Sequence, residues 1–171
     1  MKQIVLVIAT VLMTVNLNAQ MKIAHVNSQK LLDSLDSYKK AKIDLLKGQD
    51  SAYNSINEYQ KSIEEAYTKL NNEKNTLNPK ALEIRQNNIM DMEQRAQQEQ
   101  MYWQQRLQDR EQEYLQPILD RLQKAIETVA DQKKINYVMD IKSLLYSKTG
   151  TDITMDVLPV LKRLDAEAMK K

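Results

Sequence analysis

The chain has 171 residues, 42% hydrophobic and 28% charged, and its 25 basic and 23 acidic residues leave a formal net charge of +2. So even a balance supplies no global field for nucleic acid, and the absence of cysteine excludes both a disulfide framework and a lipoprotein anchor. Two glycines and three prolines among abundant Gln, Lys, Glu and Leu point to long helices rather than a compact globule.

Residues 1–19 read as a signal peptide: Lys2 gives a positive start, Ile4 to Val15 form an apolar run, and a polar zone around Ala19 follows. A run of about twelve residues is short of the roughly 20 that cross a bilayer, so cleavage after Ala19 is preferred over an uncleaved anchor. Removing Lys2 from the 25 basic residues leaves 24 against 23 acidic, a net charge of +1 for the mature chain.

Lys22–Val26 is a short strand candidate. Ser28 is the expected N-cap of a helix that starts near Gln29 and meets no proline before Asn78. Sevens from Leu35 run through Lys42, Gln49, Ile56, Ile63, Leu70 and Leu77, with Tyr38, Leu45, Ala52, Tyr59 and Ala66 alongside. This narrow seam, broken at Lys42 and Gln49, suits a two-helix coiled coil. Asn75–Pro79 reads as a stop and a turn, with Pro79 at the first position of a second helix. That helix carries Leu82, Ile89, Ala96 and Trp103 at sevens, and Pro117 is expected to kink or interrupt it. The two arms, each reaching roughly 60 Å, pack antiparallel because the turn is short. Gly48 is either a flexible point or a tolerated helix glycine costing about 1 kcal/mol.

Beyond the arms, Ile135–Asp140 and Leu144–Ser147 are two more strand candidates. Thr154 with Asp156 opens a last helix whose start is expected a residue or two later, given Pro159. The fold class is therefore α+β: a small β-containing body, residues 20–35 and 118–171, with a long antiparallel coiled-coil hairpin, residues 36–117, inserted and turning near 75–80. Three short strands and a helix bury little area, so the body is expected to self-associate.

No phosphate-binding loop is present, and the lone His25 has neither cysteine nor a second histidine to converge on a metal, so no cofactor and no enzyme activity is expected. Carboxylates lie on solvated helical faces without a pocket. The informative side chains are apolar ones outside the seam, Leu46, Tyr53, Tyr67, Met90, Met101 and Tyr102, together with Met92 and Trp103 of the second helix's own apolar pattern. They are candidates for soft contact with many partners; the alternative is that they merely widen the hairpin's own core.

Lys22-Ile23-Ala24-His25-Val26-Asn27 ahead of a long hairpin, followed by Ile135–Asp140, Tyr146-Ser147 and Asp152–Leu158, resembles the Skp (OmpH-like) periplasmic chaperones. The resemblance implies a homotrimer of β-containing bodies whose hairpins enclose unfolded outer-membrane proteins in the periplasm. It implies an ATP-independent holdase that prevents aggregation in transit. Ile23, Val26, Tyr137, Val138, Leu144 and Leu145, the apolar strand positions, are the expected assembly residues. Unlike strongly basic members, the chain is nearly neutral: Lys69, Lys74, Lys80 and Arg85 near the tip face Glu73 and Glu83, so only weak contact with the outer-membrane surface is expected. The alternative is a secreted structural or adaptor coiled coil that binds one folded envelope partner.

Overall fold

The computed structural model describes residues 21–146 and 150–170; the signal peptide expected over 1–19 and Ser147 of the expected third strand lie outside them. Its elements are β1 (Ile23–Val26), α1 (Ser28–Asp33), α2 (Asp36–Glu73), α3 (Pro79–Lys133), β2 (Tyr137–Asp140), a 3₁₀ turn (Ile141–Ser143), β3 (Thr151–Asp152) and α4 (Thr154–Ala168). Among the described residues no helix is long and apolar enough to cross a membrane. The chain divides into two compact units, one of residues 36–119 and one holding the segments before and after it.

In the strand-bearing unit β1 lies centrally, parallel to β2 on one side and to β3 on the other. Ile23 faces Tyr137 and Val26 faces Asp140 in register. Lys22 sets that register: its carbonyl accepts from the N–H groups of Asn136 (2.9 Å) and Tyr137 (3.2 Å). Its own N–H donates to Asn136 Oδ1 at 3.0 Å. Alternation along β1 sends Ala24 and Val26 inward. There they join Leu31, Leu32 and Leu35, Leu122, Ala125 and Val129 of α3, and Ile153, Val157 and Leu161, all buried.

Carboxylates at the C-terminal ends of the outer strands tie down the β1–α1 connection. Asp140 Oδ2 accepts from the Ser28 N–H (3.3 Å) and Oδ1 from the Lys142 N–H (2.7 Å). Thr154 Oγ1 accepts from the Asn27 N–H at 2.9 Å while donating to Asp152. Bonds from Ser28, its side chain foremost, and then the Lys142 N–H hold the Asp140 carboxyl below its usual range. Thr154, side chain first and then N–H, does the same for Asp152.

Several expectations are corrected. Asn27, not Ser28, caps α1, its Oδ1 accepting from the Lys30 N–H at 2.9 Å. The first helix is not continuous: Ser34 Oγ turns back to the Leu31 carbonyl at 2.6 Å, competing with the helical ladder, and Leu35 is drawn into the core. Pro117 does not interrupt α3, which runs from Pro79 to Lys133. It is solvent-exposed, where water can meet the carbonyl its missing N–H leaves free. Leu144–Tyr146 forms no strand, because Asp140 caps a 3₁₀ turn that ends β2; the third strand is Thr151–Asp152. α4 starts at Thr154 despite Pro159, which is exposed together with Met155 one turn before it. Pro79 does sit at the first helical position, behind Asn78, whose Oδ1 accepts from the Ala81 N–H at 2.8 Å.

α3 ends without glycine. Lys134 takes a left-handed φ of 55°, and the Ile135 N–H returns to the Ala130 carbonyl at 2.8 Å, closing a Schellman turn. Arg121 and Asp165 join α3 to α4 at 3.0 Å, with side chains 19% and 7% exposed. Removing one member of so buried a pair strands the other, so Asp165→Ala should lower unfolding free energy by about 3 kcal/mol in urea titrations. Acid should act separately. Because folding lowers the Asp140 and Asp152 pKa values, the unfolded chain binds more protons; their stabilisation is complete above the unfolded value, near ~3.9, and is lost as pH falls through the folded values. Urea midpoints measured below about pH 4 should therefore drop less in Asp140→Asn/Asp152→Asn than in wild type.

Candidate functional site

Two surfaces carry apolar side chains that their own unit leaves in solvent. On the sheet, the residues opposite to Ala24 and Val26 in alternation are Ile23, Tyr137 and Met139, all exposed on one face. Of the expected assembly residues, Ile23 and Tyr137 belong to this open face, and Leu145 is fully exposed in the segment after the 3₁₀ turn. Val138 and Leu144 are half-buried. Val26, only 2% exposed, is spent on the protomer's own core and offers nothing to a neighbour. Met139, Ile141 and Tyr146 are further exposed apolar positions that were not singled out, although alternation from Tyr137 marks Met139. His25, half-buried on β1 beside Asp152 in register, has a buried Nδ1 without a partner. Among the described residues no cluster of three or more potential ligands could hold a metal.

The second surface is the hairpin of residues 36–119. Its helices run antiparallel: Ser55 Oγ donates to Glu99 Oε1 (2.7 Å), Tyr67 Oη to Glu93 Oε1 (2.8 Å), and Arg85 pairs with Glu73 at 3.2 Å. The seam differs from a strict heptad. In α2 its covered positions are Ala41, Leu45, Gly48, Ala52, Ile56, Tyr59, Ile63, Ala66 and Leu70, so Ala41 and Gly48 take the places expected of Lys42 and Gln49. The two consecutive four-residue steps at 48–52–56 are a stutter, which locally unwinds a coiled coil. α3 makes the same double step at Glu99–Trp103–Leu107, level with it. Here small residues meet large ones: a Cβ on Gly48 would lie 3.1 Å from Arg110 Nη1 and 3.4 Å from Leu107 Cδ2. Trp103 also donates its Nε1–H to Glu99 Oε1 at 2.8 Å, so the indole is committed to the hairpin's own packing.

The other arm candidates are free of the seam. Leu46, Tyr53, Tyr67, Met90, Met101 and Tyr102 are all exposed, Tyr53 at 68%, whereas Met92 is half-buried. Ile43 and Ile84 are exposed as well and were missed, since isolated isoleucines on a solvated helix give no periodic signal. Near the turn the cations are partly neutralised, Lys80 by Glu83 (3.1 Å) and Arg85 by Glu73.

A strand-bearing unit whose parallel strands bracket an antiparallel helical hairpin defines the class. Residues 22–161 match the family model described as Outer membrane protein (OmpH-like), and the chain belongs to that family. The fold also matches the crystal structure of a candidate outer membrane chaperone (OmpH-like) from Caulobacter crescentus CB15. The TM-score is 0.65 at 19% identity, over 87% of this chain and 86% of that one. No curated protein matches the chain by sequence.

Proposed function

We propose that the chain is an ATP-independent, non-enzymatic holdase of the periplasm that binds unfolded outer-membrane proteins and keeps them from aggregating before they reach the outer membrane. The observation that carries this is the set of tyrosine, methionine and leucine side chains standing in solvent along a hairpin whose seam is already filled. Family membership and the candidate chaperone of like fold support the same reading. The clients would meet Leu46, Tyr53, Tyr67, Met90 and Met101, with Met92, Tyr102 and the half-buried Trp103 as additional contacts. Methionine adapts its shape to varied partners, and tyrosine offers a large apolar face at low rotamer cost.

Each such contact is weak. Several hairpins on one assembly raise the effective concentration of the next contact, so a homotrimer binds more tightly than its parts. The open sheet face of Ile23 and Tyr137, together with Leu145, is the surface that would join the copies, because three short strands alone are marginal. Release needs no nucleotide: a folded client has buried the segments the hairpin holds, and the difference in affinity drives transfer.

Residues 20–171 should suppress the light scattering of a urea-diluted outer-membrane β-barrel without ATP; unchanged scattering over a wide excess of the protein would refute the holdase. In sedimentation, wild type should be trimeric at micromolar concentration and Tyr137→Asp, on the open face, should be monomeric, with a lower urea midpoint because the body then stands alone. A monomeric wild type would remove the assembly.

A further inference from the structure

The two flanks of the hairpin are chemically different. One groove between its helices is lined by Gln60, Glu64, Tyr67 and Asn71 of α2 with Glu93 and Gln97 of α3. The opposite groove is lined by Ser62, Glu65 and Lys69 with Arg85, Asn88 and Met92. Helical geometry, 100° per residue, extends each flank along the rod. Leu46 and Tyr53 fall fourteen and seven residues before Gln60 and so share its side; Met90 and Met101 fall seven before and four after Gln97. Gln86, Gln104 and Gln108 stand on that same side of α3, exposed. The four arginines between residues 85 and 119, namely Arg85, Arg95, Arg106 and Arg110, all lie on the seam or the opposite flank, none on the glutamine side. Tyr67 is anchored across the first groove by its 2.8 Å bond to Glu93.

We infer that the flank bearing Leu46, Tyr53, Tyr67, Met90 and Met101 is the client-binding face, and that it holds an extended segment of unfolded polypeptide through hydrogen bonds from side-chain amides to the client backbone and apolar contacts to its side chains. This rests on the holdase reading and narrows it to one side of the rod. An unfolded chain differs from a folded one in exposing unpaired peptide N–H and C=O groups. Glutamine and asparagine carry both a donor and an acceptor and meet such groups whatever the sequence. Tyrosines and methionines spaced along the same strip take the side chains. From Leu46 to Asn71 the strip is about 38 Å long, which matches about eleven residues of extended chain. An anionic surface is the wrong partner for it: the groove presents Glu64 and Glu93 and no cation, while the arginines stand behind. Tyr102 and Met92, on the arginine flank, are not part of this strip.

The test uses the full mature chain and a fluorescently labelled, urea-unfolded outer-membrane β-barrel diluted into buffer, read by anisotropy, with helix content checked by circular dichroism. Wild-type affinity should change less than about threefold between about 0.05 M and about 0.5 M salt, because screening acts on exposed charges and not on amide or apolar contacts. Tyr53→Ser/Tyr67→Ser/Met90→Gln/Met101→Gln should bind at least about tenfold more weakly. Gln97→Ala/Gln104→Ala, which keeps strong helix formers, should lose about threefold. Arg95→Gln/Arg106→Gln should stay within about twofold of wild type. If the arginine variant loses binding while the four-site variant keeps it, or if affinity falls steeply with salt, the assignment of the face is overturned and the arginine flank is the binding side. Tight binding to phosphatidylglycerol vesicles abolished by the four-site variant would also overturn it. Absence of any wild-type binding would instead take down the holdase reading along with it.

Discussion

Parallel strands cannot be joined by a tight turn, and β1 pairs in parallel with β2 from Ile23–Tyr137 to Val26–Asp140. Everything between Val26 and Tyr137 must therefore leave the sheet at the Val26 end and return to the Ile23 end, where β1 began, as a crossover. In most folds one helix serves; here the crossover is α1, the whole α2–α3 hairpin and the final turns of α3. The pairing is secured by three bonds at Lys22 and Asn136, and, at the opposite end of the strands, by Asp140 and Asp152 gripping the connection at Asn27 and Ser28. These bonds all lie within the strand-bearing unit, and the exposed residues of the hairpin take no part in them.

That separation shows in how the hairpin's residues are used. At the stutter its seam sets Gly48 against Leu107 and Arg110, and it absorbs the single tryptophan, whose Nε1–H donates to Glu99. Large, soft side chains are left outside, where a self-sufficient coiled coil would place charge. Leaving them exposed risks self-aggregation, and the dense Gln, Glu and Arg around them offset that risk. A surface sticky at scattered points and well solvated between them suits transient grip on a non-native chain better than a docking site for one folded partner.

Much of the fold class is written in local pattern. Proline and Asn78 mark the turn, the sparse apolar seam marks paired helices rather than a globule, and Ile23–Val26 and Tyr137–Asp140 are rich enough in β-formers to stand out. What was hidden depended on non-local or competing bonds. The break at Ser34 comes from a side-chain hydroxyl that periodicity does not weigh. The loss of the Leu144–Tyr146 strand comes from Asp140 capping a turn, and the true third strand, Thr151–Asp152, is two polar residues long with no apolar signal at all. Val26 illustrates the limit for the site: its residue type resembles Ile23, but only the alternation observed around Ala24 shows that one turns inward and the other out. Likewise a heptad drawn through Lys42 and Gln49 conceals the stutter, since one shifted residue moves the seam onto Ala41 and Gly48.

Unfolded clients are proposed to lie against the exposed apolar residues of the hairpin. Site-specific photo-crosslinking tests this most directly, with the crosslinker placed in turn at Tyr53, Tyr67 and Met101, at Ser62 on the opposite flank, and at Leu145 in the body. Adducts with a bound, urea-unfolded β-barrel should form from the first three positions and disappear once that client is folded. Adducts only from Leu145, or equal labelling by folded and unfolded client, would contradict the account.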